Sequence, residues 1–205
     1  MFTKNRIEAL SDGVFAITMT LLVLDLKIPE GTSPLQLGAA IRHGGHAWFS
    51  FLVTFVIACI FWTLQHRLFD LMTHMSHETL VPSFVFLFFV SILPFSTHIL
   101  GNFVATPLAF VIYFLNQFAI AVALTVKLEL ARRHGHLRLG PETTLIRMRL
   151  YIMCAAMASG VVAAHFLPTP YIGIGPVLIG LISRKIRSTQ AARLKSETGT
   201  PAIQR

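Results

Sequence analysis

The sequence predicts an all-α integral membrane protein with six transmembrane helices per chain and both termini in the cytoplasm. Three observations predict it. Hydrophobic residues make up 54% of the 205-residue chain and charged residues only 13%, the composition of a polytopic membrane protein and not of a water-soluble domain. The apolar residues gather into stretches separated by polar or Gly/Pro-rich segments, and a helix needs ~20 of them to cross ~30 Å of hydrocarbon at 1.5 Å per residue. Lys and Arg fall almost wholly on one side of that pattern.

The first span is expected at 6–28, where Gly13 to Leu24 carry no charge and both ends carry polar groups: Arg6, Glu8, Ser11 and Asp12 before, Asp25 and Lys27 after. The clean run is about half a normal span, so the ends must face water or protein and not lipid. Pro29, Gly31 and Pro34 break the chain after it. The second span is expected at 47–68, followed by a short His-rich link from Asp70 to Glu78. The third, 79–100, is Phe-rich and holds Pro94, which predicts a kink near its end. Gly101 and Asn102 turn the chain into the fourth span, 104–130. Arg132 to Arg149 reads as the most basic loop, and the fifth span overlaps its end at 145–166. Pro168 and Pro170 turn into a Gly-rich sixth span at 171–187, where small residues permit close helix contact. Residues 1–187 thus read as one six-helix transmembrane domain and 188–205 as a polar cytoplasmic tail.

An even number of spans puts both termini on one side. That side collects Lys4, Arg6, Arg67, Lys127, Arg132, Arg133, Arg138, Arg147, Arg149 and the tail cluster, against Lys27 and Arg42 on the other. The positive-inside rule makes the basic side cytoplasmic, where its clusters can meet anionic head groups of the lipid bilayer. The net charge of +8 is therefore a matter of topology, and no nucleic-acid partner is expected. Cys59 and Cys154 sit mid-span without a C-x-x-C neighbour and read as small buried hydrophobes. The basic N-terminus mimics a secretory signal, but Asp12 interrupts the apolar run and no A-x-A site follows, so it reads as a retained helix.

No nucleophile elbow, zinc-protease, P-loop or dinucleotide motif occurs, and nothing in the chain reads as an enzyme. The nine histidines lack carboxylate or cysteine partners at recurring ligand spacing, so no metal centre and no cofactor are expected. The first helix is more informative. At ~100° per residue, Ile17, Leu21 and Leu24 fall on one stripe, with Arg6 and Leu10 on its extension and Thr20 at its edge. Ser11 and Asp12 point well away from it. On spacing alone such a stripe is ordinary helix packing. The polar end needs partners in any case, and Trp62, His66, Arg67 and His77 stand on the same side.

Three ordered motifs carry a family resemblance. Arg6-x-x-x-Leu10-Ser11-Asp12 resembles the R-x-x-x-F-S-D signature of the endolysosomal and bacterial potassium channels, with Leu10 in place of the usual Phe. Phe61-Trp62 followed by His66-Arg67-Leu68-Phe69 is similar to that family's second-helix motif, with Gln65 where its first His stands. Leu93-Pro94-Phe95-x-Thr97 is similar to its third-helix L-P-F-x-T. The resemblance implies a bacterial, single-repeat channel: a homotetramer with the pore at the oligomer axis, lined by the first helix. It implies Ile17, Leu21 and Leu24 as the pore constriction and Thr20 as a polar ring, with permeant potassium passing near Ile17 and Thr20. It also implies a structural network of Arg6, Ser11, Asp12, Trp62, His66 and His77. Asp25 at the outer mouth would raise the local cation concentration, partly offset by Lys27.

No TVGYG-like filter occurs, so selectivity must come from side chains, and branched aliphatic rings gate by dewetting. The function read from the sequence is a potassium-permeable cation channel in the bacterial inner membrane. It has a hydrophobic constriction, admits monovalent cations and favours potassium over sodium. The alternative is a proton-coupled secondary transporter that uses Asp12 and the His66/His77 cluster as a relay.

Overall fold

The computed structural model describes residues 4–166, and these are helical throughout apart from their connections. Helix α1 runs Lys4–Leu21 and tightens into a 3-10 turn at Leu22–Asp25. It is followed by α2 (Leu37–His43), α3 (Gly45–Leu71), α4 (His77–Ser91), α5 (Leu93–Asn102), α6 (Pro107–Arg133) and α7 (Pro141–Phe166). With α4 and α5 taken together, five segments are long and apolar enough to cross a membrane: Lys4–Asp25, Gly45–Leu71, His77–Asn102, Pro107–Arg133 and Pro141–Phe166. They correspond to the first five spans expected. The sixth span, 171–187, and the tail, 188–205, lie outside the described residues.

Prolines set several boundaries. Pro107 and Pro141 open α6 and α7, positions where a missing N–H costs nothing. These helices therefore begin at 107 and 141, where hydropathy alone placed the starts at 104 and 145. The expected basic loop from Arg132 to Arg149 shrinks to the seven residues His134 to Gly140. Between α4 and α5 the helix breaks at Ile92, two residues before Pro94, because a proline disfavours helical geometry just before it and removes one i→i−4 bond. At the start of α4, Ser76 and Thr79 form a reciprocal capping box, which satisfies two orphan donors of the first turn. The connection after α1, expected to be irregular, turns at Gly31 with φ 79° and then forms α2, a short exposed helix.

The core is centred on α6. Helices α4 and α7 pack along it, α3 and α5 pack on one another, and α1 lies against α3, α4 and α5. Phe15, Phe61, Phe69, Phe86, Leu93, Ile120, Leu124, Leu128 and Ile146 are all buried in one cluster, with the Phe15 and Phe86 rings 5.8 Å apart. A smaller cluster joins Tyr113 and Phe114 of α6 to Met157 and Ala164 of α7. There Gly160 lets the helices close: a Cβ on it would lie 2.7 Å from Cγ of Phe114. Cys59 and Cys154 are both free.

One end of the bundle is basic. The start of α1, the end of α3, the end of α6 and the start of α7 meet there, and the α3–α4 and α6–α7 loops are pinned together. Arg138 N–H donates to Leu71 O and Thr73 N–H to His136 O, both at 3.0 Å, around an antiparallel bridge between Met72 and Leu137.

Candidate functional site

Helix α1 has two unlike faces. Ile7, Ser11, Phe15 and Thr18, with Leu22 beyond, are buried against the neighbouring helices. On the other side Ile17, Leu21 and Leu24 are 62%, 43% and 63% exposed, and Arg6, Leu10, Gly13 and Thr20 are exposed with them. The wheel stripe is thus a continuous apolar surface that the described residues leave uncovered. The Thr20 hydroxyl donates to Ile17 O at 2.8 Å. Its proton is spent on its own helix, and its oxygen keeps lone pairs free to meet a cation.

Polar groups of other helices, and of the turn after α3, hold the polar residues that flank the apolar run of the first span. At the basic end, Trp62 Nε1–H donates to Asp12 Oδ1 at 2.9 Å. The Trp62 and His66 rings stack with centroids 5.6 Å apart, as side chains four apart on α3 can. His66 Nδ1 lies 3.4 Å from Glu8 Oε1, and its Nε2 lies 4.0 Å from Asp70 Oδ2. Lys4 Nζ donates to Met72 O at 3.1 Å. At the opposite end, Asp25 Oδ1 lies 2.9 Å from His98 Nδ1 of α5.

Of the network residues read from the sequence, Asp12, Trp62 and His66 come together. Ser11 is buried at the interface, but its hydroxyl has no hydrogen-bond partner among the described residues. Arg6 is exposed, and His77 opens α4. Neither makes a hydrogen bond or ion pair with Asp12, Trp62 or His66 among the described residues. Glu8 takes the place at His66 that the motif reading assigned elsewhere. Its signal was available: it lies four residues before Asp12, on the neighbouring turn. Asp25 faces His98 and is not a free carboxylate.

Lys127, counted from sequence among the basic residues of the cytoplasmic side, is completely buried. Its Nζ sits 3.6 Å from the centre of the Phe69 ring and has no hydrogen-bond partner among the described residues, with Glu8 and Lys4 of α1 in electrostatic range. The ring face offers the ammonium a compensating electrostatic attraction. Sequence reasoning also missed a polar strip inside the protomer. Thr97 Oγ1 donates to Thr54 Oγ1 at 3.1 Å, Thr54 Oγ1 and Tyr113 Oη are 3.1 Å apart, and Asn116 Nδ2 donates to Ser96 Oγ at 3.1 Å. These bonds fasten α3, α5 and α6 through groups that would be costly unpaired in an apolar interior.

In the loop of the basic end, the His136 ring lies 4.0 Å from that of His74 and 5.9 Å from that of His134. Burial, and then the charges of His74 and His134, hold the His136 imidazole below its ordinary range, with Glu78 opposing.

Residues 6–94, which include the first two motifs and the Leu93-Pro94 start of the third, match the family described as endosomal/lysosomal potassium channel TMEM175. A potassium channel of Chryseobacterium sp. (strain P1-3) is 31% identical over 177 residues, which cover 84% of this chain and 88% of that protein. The chain belongs to the TMEM175 family. A potassium channel of Streptomyces collinus is 30% identical to this TMEM175-family chain over 67% of its length and 68% of the relative's. The zebrafish endosomal/lysosomal proton channel TMEM175 is 39% identical over 77 residues, 33% of this chain but 14% of that longer one. Among solved structures, the lysosomal potassium-selective channel TMEM175 homologue from Chamaesiphon minutus superposes with a TM-score of 0.75 over 89% of this chain and 97% of its own, at 24% identity. The all-helical fold of TMEM175 channels is therefore that of this chain, a multi-pass membrane protein whose relatives are ion channels and not enzymes.

Proposed function

We propose that the chain forms a potassium-permeable cation channel in which four copies set their α1 helices around a common axis. The observation that carries this reading is the stripe of Ile17, Leu21 and Leu24 on α1 that the described residues leave uncovered, on a span whose apolar run is flanked by Asp12 and Asp25. A helix with carboxylates so near its apolar run is poorly suited to a lipid-facing position, and both carboxylates are held by partners on other helices. On that axis Ile17 forms the narrowest ring, and it dewets when closed. Thr20, one turn outward, offers hydroxyl oxygens that favour potassium over sodium. The basic end faces the cytoplasm of a bacterial cell, a reading that the bias of Arg and Lys toward that end supports. The membership in a family of channels, and the names of the two bacterial relatives, support the choice of ion.

The test is single-channel recording of the purified protein in planar bilayers under potassium and sodium gradients. Unitary current steps with a reversal potential displaced toward that of potassium are the expected result. Smooth saturable flux without unitary steps would instead indicate a carrier. The geometry gives that reading little to work with: Asp12 is bonded to an indole N–H, which has no lone pair with which to relay a proton, and His77 is outside the contact.

A further inference from the structure

Among the described residues, one group of three metal-ligating side chains converges: Glu8 of α1 with His66 and Asp70 of α3. Each offers a ligand atom, and the three atoms lie within 4.8 Å of one another. We propose that these residues form a site for a divalent transition-metal ion, zinc above all, that clasps the start of α1 to the end of α3.

The chemistry of the set points to the metal. Two carboxylates and one imidazole carry the charge that neutralises a dication, and zinc takes such nitrogen and oxygen donors at about 2.0–2.2 Å. Ligand atoms around one such ion stand roughly 3.4 Å apart in a tetrahedron, so the present spacing closes with movements of about 1 Å. Asp70 is exposed and free to make most of them, His66 is partly exposed and Glu8 is half-buried. His66 and Asp70 are four residues apart on one helix, so they point to the same side, and Glu8 approaches from the facing helix. The fourth position is open to solvent. An imidazole in the set favours zinc over magnesium or calcium, which prefer oxygen alone. The imidazole plane is steadied from behind by the Trp62 ring, itself tied to Asp12, the kind of outer support that holds a ligating histidine in place. Lys4 and Lys127 nearby work against a dication, and the two carboxylates outweigh them at the shorter range.

Isothermal titration of the tag-free, full-length protein in detergent with zinc chloride tests this directly, with magnesium chloride as the comparison. Saturable binding of one zinc per chain is expected, with magnesium silent at the same concentration. Asp70→Asn and Glu8→Gln should each weaken zinc binding at least about tenfold, while His74→Gln leaves it unchanged. Asp70 is exposed and packs against nothing in the core, so Asp70→Asn decides the matter even if His66 or Glu8 variants fail to fold. No saturable binding up to about 1 mM zinc, equal binding of magnesium, or zinc binding indifferent to Asp70→Asn and Glu8→Gln would each overturn the site. The measurement needs no current, so it stands or falls apart from the channel reading.

Discussion

Asp12 and Lys127 meet the same physical demand in opposite ways. A charge beside an apolar span must be paired or supported. Asp12 accepts an indole N–H across to α3, and a hydrogen bond to a charged group outweighs a neutral one. Trp62→Phe keeps the ring but loses the donor, and should lower thermal stability by about 1 kcal/mol, read as a fall in melting temperature in detergent. Lys127 has the Phe69 ring against it, Glu8 in electrostatic range and no hydrogen bond among the described residues. Replacing a buried charge by an apolar side chain of similar length is often neutral or stabilising. Lys127→Met is therefore expected to hold or raise the melting temperature, and a clear fall would show that the ammonium has a partner it needs. Ile17 makes the functional counterpart. Ile17→Asn places an amide where the proposed ring dewets, so unitary conductance should rise severalfold in planar bilayers; unchanged conductance would mean that the constriction is elsewhere.

At the scale of the element, the helices were legible where apolar length and proline agreed. Five spans could be read because few residue types tolerate hydrocarbon. Their starts were less legible, since hydropathy fades through an interfacial first turn while a proline at the first helical position marks it sharply. The close approach of α6 and α7 could not be read at all. Gly160 stands in a run of small residues, and only the packing reveals that Phe114 fills the space beside it. Gly160→Ala should destabilise the protein by about 1–3 kcal/mol through overpacking, and the paired change Phe114→Leu should recover part of the loss in a thermal-melt comparison.

At the scale of the whole molecule, the basic end is held by a contact between two loops, with His136 at its centre. Its imidazole is held below the ordinary value of about 6.5 by burial and by its two histidine neighbours. The folded state therefore binds its proton less readily than the unfolded chain does. The stability that this group contributes is present above pH ~6.5 and is lost as the pH falls through the lower folded value. Melting temperature should drop on acidification across that window, and His136→Gln should flatten the dependence. The four-copy arrangement has its own test: native mass measurement in detergent should return four times the chain mass, and a monomer would leave the α1 stripe facing lipid.

The sequence by itself determined the class of protein, the order of its spans and the family, because hydropathy, charge bias and three local motifs are written residue by residue. It also marked out the α1 stripe, since helical periodicity alone puts Ile17, Leu21 and Leu24 in line. Only the tertiary structure decided which charged groups meet. Glu8 rather than Arg6 reaches His66, His98 holds Asp25, and Lys127 is buried. Those pairings depend on how α1, α3, α5 and α6 rotate and stack, and that is set by core packing between residues far apart in the chain.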